Sequence, residues 1–209
     1  MIDAAELIVA EEGIASMTLN AVQLEANQAN KSAAKYHFGS REGLLDAIVE
    51  SRMAGVDARR QELLADLEEL GESVTLRQAV EALIRPLAAE TLGRPGSRYA
   101  RFNVNALTDP TLARILPKHL KAESYRRVHR LMVELSAASR KVALRRANNG
   151  VMFAMAALAA HEGRARSDAE TAEIVSDLVD SCVAVLEAPK TPAASQREES
   201  YGKVAQRIV

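Results

Sequence analysis

The chain has 209 residues, 27 Lys/Arg against 28 Asp/Glu for a net charge of −1, and one cysteine, Cys182. A single cysteine excludes an internal disulfide framework and a cysteine zinc site, the balanced charge excludes a polycation, and no apolar run approaches the ~18 residues of a membrane helix. Hydrophobic residues make up 48% of the chain but aromatic ones only 3%, with no Trp; the core is therefore built from Ala, Leu, Val, Ile and Met, which suit helices better than strands.

The opening MIDAAEL has no positively charged n-region and reads as no signal peptide, so a soluble cytoplasmic protein is expected. In IDAAELIVAEEG, Ile2, Ala5, Ile8 and Val9 recur at helical spacing, and Gly13 supplies a C-terminal stop. Thr18 is placed to cap a second helix carrying Leu19, Val22 and Ala26 on one face. NQAN ends it, with Asn27 suited to the left-handed conformation that usually calls for Gly. Asn30 is expected to cap a very short helix over about 31–37, which Gly39 stops. Ser40 then caps a fourth, with Leu44, Leu45, Ile48 and Arg52 on one face, running past Gly55 towards Leu70.

The remainder also reads as helical. Thr75 caps a helix to about Leu92, GRPGS is a loop, and residues 98–107 form another segment. Asp109-Pro110 pairs a cap with Pro at the first helical position. Pro117 opens a long helix to about Ser139. An Ala-rich helix ends at Gly163, and Asn148-Asn149-Gly150, normally a turn signal, either kinks it or starts it. Asp168 opens a last helix with Ile174, Leu178, Cys182 and Val185 as its stripe. Residues 188–209 hold two prolines and mostly polar residues and read as a flexible tail. No repeat and no convincing strand is found.

The segment 30–45, NKSAAKYHFGSREGLL, asks for an explanation. A helix of two turns is unstable alone, and Ala33, Ala34 and Phe38 are its only apolar anchors. Lys31, Ser32, Lys35, Tyr36 and His37 are left exposed or at an edge. Two small helices joined by a tight turn, the second polar and basic, form the helix-turn-helix pattern, whose second helix enters the DNA major groove.

At this point AEEGIASMTLNAVQLEANQANKSAAKYHFGSREGLLDAIVESR resembles the DNA-binding domain of the TetR family of bacterial transcriptional regulators. The matching features are Glu12-Gly13, Thr18 and the block Tyr36-His37-Phe38-Gly39-Ser40-Arg41-Glu42-Gly43-Leu44-Leu45. The resemblance covers about residues 2–52, while later helices match only in number and order. It implies an all-α protein with a three-helix helix-turn-helix domain over 1–52, helix four linking on from about 41. A larger helical ligand-binding and dimerisation domain would follow over 53–187. Thr18, Tyr36, His37 and Arg41 would hold phosphates. Gln28, Asn30, Lys31, Ser32, Ala33 and Lys35 would lie at or near base edges, and Phe38 would be a buried plug.

The chain departs from the family pattern in several places. Asn27 stands where Gly is usual, Ala34 where a bulky apolar residue is common, and Lys35 where an aromatic or His is common; the turn is also one residue longer. Residues 1–52 carry four Lys/Arg against eight Asp/Glu, a net charge of −4, and no basic arm precedes the first helix. Three of the four cations nonetheless fall within residues 31–41.

The resemblance further implies a homodimer through the last two helices, where Ala154, Ala156, Ala157, Ala159 and Ala160 permit close helix approach. It also implies a small-molecule effector in the larger domain. Candidate lining residues are Leu83, Leu87, Phe102, Leu107, Leu116, Met132, Met152 and Met155, with Asn103, Asn105 and His129 as polar groups, which suits a mostly apolar molecule. The run Lys118, Lys121, Arg126, Arg127 and Arg130 reads as a solvated face. No Glu stands three residues before His119, His129 or His161, so the di-iron signature is absent. With no phosphate loop and no nucleophile elbow either, no metal, cofactor or catalysis is expected. The expected function is a ligand-responsive repressor of transcription acting on an operator. The alternative is a helical interaction module whose helix-turn-helix no longer binds DNA.

Overall fold

The computed structural model describes residues 1–30, 32–69, 71, 73–109 and 122–189, without the side chains of 106–108, and every regular element among them is helical. Helix α1 covers Ile2–Glu12 and stops where Gly13 takes φ 84°, a left-handed value that glycine adopts without strain. A 3-10 turn, Ile14–Ser16, leads to α2, Leu19–Glu25, and α3 covers Ala33–Phe38. Helix α4, Arg41–Glu69, has 29 residues and spans about 43 Å. Then come α5 (Leu76–Thr91), α6 (Tyr99–Thr108), α7 (Glu123–Glu134), α8 (Arg140–His161) and α9 (Asp168–Glu187). No helix among the described residues is long and apolar enough to cross a membrane.

Two hydrophobic cores divide the molecule, and α4 runs through both. Ala5, Ile8 and Val9 of α1, Met17, Val22 of α2, and Leu44, Leu45, Ile48 and Val49 of α4 make the first. The second gathers Val56 and Leu64 of α4 with the apolar faces of α5, α7, α8 and α9. The boundary expected at 52/53 lies inside α4, beside Met53, which packs against both cores. Helix α6 also bridges them. Its Tyr99 and Phe102 complete the first core, whereas Ala100 belongs to the second.

Buried polar groups fix how these helices meet. Glu162, fully buried just past α8, reaches the start of α6: its carboxylate accepts from Ser97 Oγ at 2.7 Å and from the amides of Ala100 and Arg101 at 3.0 Å each. A side chain from a distant helix thus satisfies amides that α6 leaves unpaired at its N-terminus. Pro86 in the middle of α5 carries no N–H, so the carbonyl of Ala82 lacks its usual helical donor. Buried Arg60 of α4 fills that position, its Nε donating to Ala82 O at 3.3 Å. Burial lowers the Arg60 pKa, against the opposing pull of Asp57 and Tyr125.

Some boundaries differ from expectation. The helix expected to reach Ser139 ends at Glu134, and Ser139 is instead the N-cap residue of α8. Asn148-Asn149-Gly150 neither starts α8 nor interrupts it. There Gly150 is buried, and Cys182 Sγ of α9 donates to its carbonyl at 3.7 Å. Gly150 therefore sits inside the helix and makes no turn. On α9 the buried stripe is Val175, Leu178, Val179, Cys182 and Leu186, with Ile174 and Val185 at its half-buried edges. Of the expected tail, only Ala188 and Pro189 are described; the rest, with Lys118, Lys121 and His119, lies outside the described residues.

Candidate nucleic-acid interface

Thr18 Oγ1 accepts the N–H of Ala21 at 3.1 Å and so caps α2. At the other end, Asn27 takes φ 52°, the only left-handed non-glycine among the described residues. Its N–H donates to Leu24 O at 3.0 Å, and the N–H of Gln28 donates to Gln23 O at 3.0 Å. These two bonds make a Schellman closure with Asn in the place Gly usually holds, which Asn tolerates at moderate cost. The chain is thereby reversed into the turn that launches α3.

Two contacts then seat α3. Asn30 Oδ1 accepts the N–H of Ser32 at 3.0 Å, and Asn30 O accepts that of Ala33 at 3.0 Å. The helix proper therefore begins at Ala33, two residues later than expected, with Ser32 as N-cap residue. Gln23 of α2 is buried, and its Oε1 accepts the N–H of Ala34 at 2.9 Å. That bond, the two buried alanines and Phe38 together hold this short helix in place. Gly39, at φ 69°, ends α3, and Ser40 Oγ accepts the N–H of Gly43 at 3.0 Å to cap α4.

Gln28, Asn30, Ser32, Lys35, Tyr36 and His37 are all exposed, Tyr36 by 84%. The Tyr36 and His37 rings meet edge to face with centroids 5.3 Å apart. Thr18 is exposed too, though its hydroxyl already serves the α2 cap. Ala33 is buried, so its methyl lies inside and not among the exposed groups. Lys31 lies outside the described residues. Phe38, expected as a buried plug, is half-buried and packs against the first core.

Arg41 is the residue whose setting differs most from the phosphate-holding role implied for it. Its Nε donates to Met17 O at 2.9 Å and its Nη2 to Ile14 O. The guanidinium ties the start of α4 to the connection before α2, which leaves three of its five N–H groups for other partners. Further along α4, Arg52 is buried against α1. Its Nε donates to Glu6 Oε1 at 2.6 Å, and its Nη2 to Glu6 Oε2 at 2.9 Å and Asp3 Oδ1 at 2.6 Å. Burial raises the Glu6 pKa, opposed by the hydrogen bonds from Arg52. The bond to Glu6 in turn holds Arg52 in its charged form against burial. Sequence reasoning missed Gln23 and Glu6. The one signal for Glu6 was a carboxylate on the stripe of Ile2 and Val9; Gln23 carried none.

The residues expected to line an effector site are dispersed. Leu83, Leu87, Met132 and Met155 are packed in the second core and Phe102 in the first. Asn103 and Asn105 each donate to a carbonyl one turn back in α6, at 2.9 and 3.0 Å. Met152 is exposed. Leu116 and the side chain of Leu107 lie outside the described residues. His129 lines a groove of about 720 Å³ between α7 and α8, and it is the one expected residue that does so among the described residues. No group of three or more His, Cys, Asp or Glu among the described residues is placed to hold a metal ion.

On α8, Met152, Phe153, Ala156 and Ala160 are exposed on one face. Ala154 is fully buried, and Ala157 and Ala159 pack against the second core.

The sequence matches no family model and no curated protein. The fold is similar to solved structures. A protein from Mesorhizobium loti described as a TetR-family transcriptional regulator superposes with a TM-score of 0.51 at 16% identity, over 88% of this chain and 93% of that one. PfmR, a TetR-family transcriptional regulator from Thermus thermophilus, gives 0.54 at 14% identity, over 90% of this chain and 98% of that one. A third, from a Rhodococcus species and described as a TetR-family transcriptional regulator, gives 0.52 at 20% identity, over 89% and 96%. The chain thus shares the all-helical fold of these proteins over about nine tenths of its length.

Proposed function

We propose that this protein is a DNA-binding transcriptional regulator, a repressor released from its operator by a small, mostly apolar molecule. The observation that carries the reading is the construction of α3: a two-turn helix fixed by Gln23 and two buried alanines, with Lys35, Tyr36 and His37 exposed on it. A helix so poor in apolar contact and so firmly seated has its chemistry directed outward. In this reading the exposed Gln28, Asn30, Ser32 and Lys35 meet base edges, and Thr18, Tyr36 and His37 meet phosphates.

Residues 1–52 act as the DNA-binding domain and 53–187 as the effector and dimerisation domain. Two copies join through α8 and α9, using the exposed face at Met152, Phe153, Ala156 and Ala160, and so present two recognition helices to half-sites about 34 Å apart. Helix α4 belongs to both cores, and a tilt imposed in the larger domain would move α3 through Leu44, Leu45 and Ile48. An effector preference of about 1–3 kcal/mol for the released state suffices for a switch.

The test is binding to a DNA fragment from upstream of its own coding sequence by Lys35→Ala and Tyr36→Ala variants. Both are expected to bind more weakly while keeping the fold and the dimer; wild-type affinity in both would refute the groove assignment. The net charge of −4 over residues 1–52 and the engagement of Arg41 by carbonyls favour one other reading, an interaction module that has lost DNA. Salt separates the two, because phosphate contacts release counterions and their affinity falls steeply with ionic strength.

A further inference from the structure

The groove between α7 and α8 combines three features. Its volume, about 720 Å³, lies in the range of small-molecule sites. Its walls include Tyr125, Val133 and Leu144, an apolar surface with Leu144 47% exposed. Arg126, Arg130 and Arg140 also line it, against the single carboxylate of Glu134. Arg126 is occupied by Glu123 at 2.6 Å. Arg130 and Arg140 are exposed, and among the described residues neither has an ion-pair or hydrogen-bond partner.

The walls are held in place from behind. The buried guanidinium of Arg60 lies over the Tyr125 ring at 5.8 Å from its centroid, a cation–π contact that fixes the ring. Across the groove, His129 Nε2 and Asn148 Oδ1 are 2.9 Å apart and join α7 to α8. A formed apolar wall beside two guanidinium groups that outnumber the one carboxylate of Glu134 and form no ion pair among the described residues suits a ligand with an apolar body and an anionic head, because Arg forks bind carboxylate and phosphate oxygens in pairs. A neutral apolar molecule would leave both charges unused, and a cation would be repelled.

We propose that this groove is a binding site for a small amphiphilic anion, its charge held by Arg130 and Arg140 and its apolar part by Tyr125, Val133 and Leu144. The site stands independently of whether α3 binds DNA.

The test is displacement of the fluorescent probe anilinonaphthalene sulfonate by octyl phosphate, octanol and octylamine. It is run on the wild-type chain, on Arg130→Gln/Arg140→Gln, and on Arg85→Gln as a distant surface control. Octyl phosphate is expected to displace the probe at a concentration at least about tenfold below that of octanol, with octylamine weakest. The double variant loses that preference and the control keeps it. Equal displacement by octanol, or an unchanged preference in the double variant, overturns the assignment. If the double variant is monomeric where wild type is dimeric, the groove belongs to the subunit contact and the ligand site is likewise overturned. Salt-sensitive DNA binding measured alongside reports on the regulator reading alone.

Discussion

Gln23 Oε1 accepts the backbone N–H of Ala34 at 2.9 Å, a bond between two buried groups that fixes α3 against α2. Gln23→Leu keeps the volume and removes the acceptor, leaving the Ala34 amide buried and unpaired. The expected cost is about 1–3 kcal/mol, seen as a lower denaturation midpoint with native helical content before unfolding. DNA affinity falls as well, although Gln23 itself is not exposed to DNA. A variant as stable as wild type, with unchanged affinity, would remove Gln23 from the account.

The Glu6–Arg52 pair joins α1 to α4 with both partners buried. Glu6→Leu leaves the buried guanidinium with only the exposed Asp3 carboxylate as partner and is expected to cost about 3 kcal/mol, whereas Glu6→Leu/Arg52→Met recovers most of that loss. Urea denaturation of the two single variants and the double variant closes the cycle. Additive losses would show that the pair is not the coupling between these helices.

The exposed face of α8 predicts the oligomeric state. Met152→Asp/Phe153→Asp puts two charges into the surface proposed for dimerisation, and it is expected to yield a folded monomer by sedimentation velocity. Both side chains are exposed in the single chain, at 55% and 43%, so the monomer fold should tolerate the change. A dimer as tight as wild type would place the contact elsewhere.

Burial in the α8–α9 contact pushes the Cys182 thiol up to about 11. At pH 8 its thiolate fraction is small and access is blocked, so Cys182 should resist iodoacetamide in the native state and react promptly in urea. Because the folded pKa exceeds the unfolded one, the native state holds its proton longer. Its contribution to stability is complete below about pH 9 and is lost as pH rises towards 11. Rapid native-state alkylation at pH 8 would contradict this.

Much of the fold was legible because its signals are local. Thr18 and Thr75 cap within three residues, Gly13 and Gly39 close helices at positive φ, and Asn27 reverses the chain as its type allows. What remained hidden depends on partners far along the chain. Glu6, Gln23, Arg41 and Glu162 look like ordinary surface residues until tertiary structure brings Arg52, Ala34, Met17 and Ala100 to them. The early end of α7 at Glu134 was missed for a similar reason: Ser136 is buried, its hydroxyl donating to Leu186 O at 3.2 Å at the far end of α9. The exposed candidates of α3 could be read from polarity, whereas the burial of Ala33 required the packing of α2 on α3.

The most direct test of the central claim is a fluorescence anisotropy titration with DNA from upstream of the protein's own coding sequence and with random DNA, at about 50 and 200 mM salt. A regulator built as described binds its own fragment in clear preference to random DNA and loses affinity steeply between the two salt concentrations. Equal, weak binding to both fragments, indifferent to salt, would leave the fold intact and contradict the assignment of α3 as a DNA-reading helix.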